Sequence, residues 1–80
     1  MRFKIDIKRK DGLADPEGMA TRRALLDLGY ETVEDVHFGR TIFLDVTEDD
    51  RDAAAAMVGE MCARLLANPV MEDFALEVVE

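Results

Sequence analysis

Few side chains in this sequence have the types and spacing that covalent or acid–base chemistry needs. His37 is the lone histidine, Glu34 and Asp35 precede it closely, Cys62 is the lone cysteine, and no serine occurs. A nucleophile must sit beside a base that activates it. The spacing pairs neither Cys62 nor any hydroxyl with His37, so His37 reads as a surface strand position and Cys62 as a small core hydrophobe. A single cysteine also forbids an internal disulfide and a cysteine cluster for zinc. Gly12, Gly18, Gly29 and Gly39 are too scattered to cradle a phosphate, and no Gly-Lys-Ser/Thr run follows any of them. The carboxylates Glu48, Asp49, Asp50 and Asp52 suit a hard cation in type, but their position favours a helix N-terminus.

With catalysis poorly supported, the chain reads as an association module. Its 80 residues make one small domain, spanning residues 1–80. A domain of this size buries a modest share of its surface, so pairing with copies or partners is a common route to stability. A net charge of −8 opposes binding to nucleic acid phosphates or an anionic membrane. No apolar run approaches the ~18 residues of a membrane span, which leaves a soluble cytoplasmic protein as the expectation.

Phe3, Ile5 and Ile7 alternate with charged residues and predict a first strand with one buried face. The basic cluster Lys8-Arg9-Lys10 ends it and is a candidate docking patch for an acidic partner surface, unless it is only a solvated strand end. Asp15-Pro16-Glu17-Gly18 predicts a helix start, with Asp15 as cap and Pro16 in the first position. The helix runs to Leu28, packs Thr21, Ala24, Leu25 and Leu28 onto the sheet, and ends at Gly29. Residues 36–46 predict a hairpin, with Gly39 at positive φ in its turn. That hairpin places Val36, Phe38 and Phe43 on one sheet face and Ile42, Leu44 and Val46 on the other. The first three are therefore candidate self-association residues, exposed unless a second copy covers them. A second helix starts with Thr47 as cap and carries a stripe of Ala54, Val58, Met61 and Leu65. Asn68-Pro69 stops it, because proline drives the preceding residue out of helical angles. Phe74, Leu76 and Val78 then form the closing strand.

The order strand, helix, strand, strand, helix, strand predicts an α+β, ferredoxin-like βαββαβ two-layer sandwich: a four-stranded antiparallel sheet with two helices on one face. That plan carries enzymes, metal carriers, RNA binders and regulators alike. The Cys-x-x-Cys of a metal carrier and the aromatic signature of an RNA-recognition sheet are both absent.

The run Leu65-Leu66-Ala67-Asn68-Pro69-Val70-Met71-Glu72-Asp73-Phe74 carries a sharper signal. It resembles the Leu-Leu-Ala-Asn-Pro-(Val/Ile)-(Ile/Met)-Glu-Asp-Tyr run of the PurS family, the small subunits of phosphoribosylformylglycinamidine synthase in purine biosynthesis. Asp15-Pro16-Glu17-Gly18 is similar to that family's Asp-Pro-x-Gly segment, Gly29 falls after the first helix as in the family, and Gly39-Arg40 stands where Gly-Lys is usual. Arg40 thus replaces the commoner lysine, and His37 stands where arginine is frequent.

The resemblance implies a subunit with no active site of its own, in an assembly that converts formylglycinamide ribonucleotide to formylglycinamidine ribonucleotide. Its partners are then a large synthetase subunit, which uses ATP and magnesium, and a glutaminase subunit, which releases ammonia from glutamine. The small subunit is expected to bridge the two and to help retain ammonia, holding no cofactor itself and forming a homodimer or higher oligomer. Candidate partner contacts are Lys8, Arg9, Lys10, Gly39, Arg40, Asn68, Pro69, Glu72 and Asp73. The competing reading is a stand-alone ferredoxin-like regulator binding a small metabolite, which leaves the decamer unexplained.

Overall fold

A computed structural model describes all 80 residues, Met1–Glu80. Strand β1 (Arg2–Arg9) is the centre of the sheet, with β2 (Gly39–Asp45) antiparallel on one side and β3 (Glu72–Val78) antiparallel on the other. Phe3, Ile5 and Ile7 are buried, as the alternation predicts. Directly opposed residues share a face, so Phe3 lies between Leu44 and Val78, Ile5 between Ile42 and Leu76, and Ile7 between Arg40 and Phe74. Helix α2 (Arg51–Met61) covers this face with Ala54 and Val58, and Cys62 and Ala67 complete the core. Cys62 is buried, as expected of a small core hydrophobe.

The sheet has three strands where four are expected. The missing strand is the first arm of the expected hairpin: Val36, His37 and Phe38 lie outside any ladder. A competing hydrogen bond accounts for part of this, since the Phe38 N–H donates to Asp15 Oδ2 at 2.8 Å. Gly39 is not at positive φ; only Gly12 and Gly29 are. It is required instead by close approach, because a Cβ there would lie 2.7 Å from the Ile7 carbonyl oxygen. Consequently Val36 and Phe38 do not share a sheet face with Phe43. Phe43 alone stands on the open face, opposite Lys4, and is 61% exposed.

Helix α1 (Pro16–Asp27) starts and stops where predicted, with Asp15 as its cap and Gly29 at φ 100° beyond its end. It does not pack onto the sheet. None of its residues joins the core, Gly18 is its only buried residue, and Leu28, in the expected stripe, is 74% exposed. One helix, not two, therefore covers the sheet. With its return segment, residues 31–38, α1 forms an arm. The molecule accordingly measures 50 × 26 × 14 Å, with a radius of gyration of 16.2 Å, against roughly 12 Å for a compact domain of this length.

Helix α2 is capped by Asp50, whose Oδ1 accepts from the Asp52 and Ala53 amides, and not by Thr47. Its buried stripe continues through Cys62, and Leu65, expected in that stripe, is 82% exposed. The cause is a widening of the last turn over Cys62–Leu66, where the Ala67 N–H bonds the Cys62 carbonyl at 2.9 Å, an i→i+5 spacing that rotates the following side chains.

Candidate functional site

The stretch from Leu65 to Phe74 is held by a network that reaches across the sheet. Pro69 ends the helical run, and Asn68 organises the turn: its Oδ1 accepts the Val70 amide at 3.0 Å, and its carbonyl accepts Met71 at 3.1 Å and Glu72 at 2.7 Å. Arg40 projects from β2 on the covered face and forms a fork. Nη1 donates to Glu72 Oε2 at 2.6 Å, and Nη2 donates both to Glu72 Oε1 at 3.1 Å and to the Leu66 carbonyl at 2.8 Å. Glu72 Oε1 also accepts the Asn68 N–H at 2.8 Å. A planar guanidinium satisfies the carboxylate and the carbonyl together, which a lysine ammonium does with less geometric definition. Arg40 thus joins β2, the end of the helical run and the start of β3. From the other side the Lys10 amide donates to the Met71 carbonyl at 2.8 Å, and Lys10 Nζ pairs with Asp73 Oδ1 at 2.8 Å.

The Arg40 hydrogen bond, helped by the Asn68 amide, holds the Glu72 carboxyl below the usual glutamate range. A depressed folded value contributes stability that is present above the unfolded value, about 4.3, and is lost as pH falls through the folded one. Arg40→Ala should therefore melt lower than the parent at pH 7, with the gap narrowing as acid protonates Glu72. Thermal melts between neutrality and about pH 3 check this, and an undiminished gap in acid would contradict the role given to the pair. The Arg40 side chain is half exposed, and solvent screening on its side keeps the effect modest.

Of the expected contact residues, the structure brings Arg40, Asn68 and Glu72 into this one network and Lys10 and Asp73 to its flank. Pro69 lies in the turn, and Val70 beside it is 78% exposed. The Glu72 side chain is turned inward, which leaves Asp73 as the outer carboxylate of the pair. Lys8, Arg9 and Gly39 adjoin the network without a side-chain hydrogen bond to it: Arg9 stands opposite Glu72 and Lys8 opposite Asp73 in the β1–β3 register. Lys8 and Arg9 border a cleft of about 300 Å³ whose far wall is His37 and Phe38. Gly39 lines a hollow of about 330 Å³ on the open sheet face, floored by Thr41 and Ala75. Burial pushes the Cys62 thiol up, away from the thiolate that a nucleophile needs.

Sequence reasoning missed the double duty of Asp15. Its Oδ1 caps α1 through the Gly18 amide at 2.9 Å while Oδ2 holds Phe38, and these bonds, the one from Phe38 foremost, keep its carboxyl below the usual aspartate range. The cap was visible in Asp15-Pro16; the second bond spans 23 positions and leaves no local mark.

Fold and site together define a small α+β module that presents braced turns, a projecting arm and an uncovered sheet face. The family model for PurS, phosphoribosylformylglycinamidine (FGAM) synthase, matches residues 2–80, and the chain belongs to that family. It is 39% identical over 79 residues to the phosphoribosylformylglycinamidine synthase subunit PurS of Bacillus subtilis, covering 99% of this chain and 93% of that one. The Archaeoglobus fulgidus subunit is 40% identical over 90% of each chain. Among solved structures, B. subtilis PurS superposes with a TM-score of 0.88 over 99% of this chain and 98% of its own. A chain in the structure of PurLQS from Thermotoga maritima gives 0.85 at 29% identity, over 95% of this chain and 93% of that one. No helix is long and apolar enough to cross a membrane.

Proposed function

We propose that this chain is the small, non-catalytic subunit of a three-part phosphoribosylformylglycinamidine synthase, joining a glutaminase subunit to an ATP-dependent synthetase subunit and assisting the passage of ammonia between them. The observation that carries this is the match along nearly its whole length to a chain of the T. maritima PurLQS structure. The chemistry agrees: the one cysteine is buried with its thiol disfavoured for ionisation, and the sequence has no serine. In this reading ATP and magnesium belong to the synthetase subunit, the assembly works in the cytoplasm, and this chain supplies surface.

It supplies that surface as a homodimer or higher oligomer. Only eight residues are buried, α1 extends as an arm with exposed apolar side chains, and Phe43 stands on an uncovered sheet face. A second copy is the simplest cover for such area.

Reconstitution tests the role. The chain alone should show neither glutamine-dependent nor ammonia-dependent synthesis. Added to both partner subunits, it should restore glutamine-dependent turnover that the two lack without it, and equal rates with and without it would refute the coupling role.

A further inference from the structure

The outer edge of β2 carries unpaired backbone groups in a definite order. Met1 and Val46 exchange both backbone hydrogen bonds at 2.9 Å, and bonded and non-bonded pairs alternate along an antiparallel ladder. In the β1–β2 register, Arg40, Ile42 and Leu44 therefore turn their amides and carbonyls to β1, while Thr41, Phe43 and Asp45 turn theirs away from the sheet. No strand lies on that side. The segment leading into β2 continues the pattern. From Thr32 to His37 no backbone amide or carbonyl bonds to another backbone group. The Val36 carbonyl lies against Gly18 and the Phe38 amide is held by Asp15, so the groups of these two residues face α1. By alternation Asp35 and His37 present theirs on the other side, which Thr41 and Phe43 continue.

The chain also has more surface than its mass requires. Its accessible area is 6033 Å², roughly 1,200 Å² above the ~4,850 Å² of a folded monomer of 9.0 kDa. A standard interface removes about 800 Å² from each partner, so one contact with a second copy absorbs most of the excess. Charge selects the edge. The other outer strand, β3, carries Glu72, Asp73 and Glu77, and a second copy meeting it there sets carboxylates against carboxylates, whereas β2 carries one cation, Arg40, and one anion, Asp45. β2 also lacks the proline, the bulge and the lysines that blunt a strand edge against pairing.

We propose that residues 33–45 pair with the same residues of a second copy, antiparallel about a two-fold axis at Gly39, joining the two sheets edge to edge; this rests on the reading of the chain as a homo-oligomer. Gly39 is the centre because it joins the arm to β2, and the overlap is longest there. That register sets Val36 opposite Ile42, Asp35 opposite Phe43 and His37 opposite Thr41, each twice by symmetry, and it opposes no like charges. Each arm then lies along the other copy's β2 and supplies the strand that the other sheet lacks.

Residue-resolved amide exchange of the parent oligomer is the first test. The amides of Asp35, His37, Thr41 and Phe43 should exchange about tenfold or more slowly than those of Phe74, Leu76 and Val78, which point outward from β3. The second is sedimentation of T41P, which removes an outward amide and spares the bonds to β1. T41A is its control, since Thr41 also donates through its hydroxyl to Asp6. T41P should weaken self-association about tenfold or more, because by symmetry two ladder bonds are lost, and should keep its circular dichroism. T41A should associate as the parent does. Thr41 and Phe43 amides as open as those of the β3 edge, T41P associating like the parent, or equal loss in T41A and T41P would each overturn the edge pairing and leave the oligomer on another surface. A parent that sediments as a monomer overturns both readings. If T41P fails to fold, exchange in the parent decides.

Discussion

Replacing Gly18 with alanine should loosen the α1 arm while leaving the sheet and α2 in place. A Cβ at this position would run into the Val36 carbonyl oxygen, a backbone atom that cannot swing aside as a side-chain tip can. Relief requires the first turn of α1 or the 36–38 segment to move, yet Asp15 ties the two together through Gly18 and Phe38. Alanine gains about 1 kcal/mol over glycine in helix propensity, which opposes the effect. Overpacking of a fixed backbone contact costs about 1–3 kcal/mol, and here the contact lies far inside van der Waals distance, so the steric cost wins. Because α1 contributes nothing to the core, the damage should be local: amides of residues 16–38 should exchange faster, while those of β1, α2 and β3 keep their protection. A variant as stable as the parent, with unchanged exchange in the arm, would show that the close approach relaxes freely.

The sequence made the elements legible where local chemistry decides them, and lost them where distant contacts do. Phe3, Ile5 and Ile7, the Asp15-Pro16 start, Gly29 and the Pro69 stop are each set by a neighbour's geometry or a period of two. The hairpin failed for a nonlocal reason: Asp15 takes the amide that Phe38 would otherwise offer to a strand. The outward swing of Leu65 is set by the widened last turn, which hydrophobic spacing does not encode. Of the candidate site, the decamer marked a stretch that the structure gathers into one hydrogen-bonded network. Its brace was not visible, because Arg40, Leu66 and Glu72 come together only when β2 and β3 flank β1. Glu72 is held in that brace by Arg40 and the Asn68 amide. The basic cluster divided as well, with Lys10 in an ion pair with Asp73 while Lys8 and Arg9 form none.

Phe3 and Phe43 are the same residue type on opposite faces of one sheet, and their substitution should separate folding from association. Phe3 is fully buried at the junction of all three strands, and truncating a buried phenylalanine to alanine costs about 3–5 kcal/mol. At 0.05–0.15 kcal/mol per residue, a chain of this length has roughly 4–12 kcal/mol in all. The hydrophobic core comprises seven residues, so little remains to compensate. Phe3→Ala should therefore be largely unfolded, or melt far below the parent, at any protein concentration. Phe43 is mostly exposed and touches no part of that core. A surface substitution of this kind changes intrinsic stability by no more than about 0.5 kcal/mol, so Phe43→Asp should retain its far-ultraviolet circular dichroism. Placing a carboxylate on the face proposed to meet a second copy should nonetheless drive the proposed oligomer toward a 9.0 kDa monomer, because a buried charge without a partner opposes association. Sedimentation beside thermal melting reads both outcomes. A parent chain that is already monomeric at micromolar concentration would remove the self-association proposal. A Phe43→Asp variant that stays oligomeric would move the contact away from the open sheet face, leaving the exposed apolar side of α1 as the surface to test next.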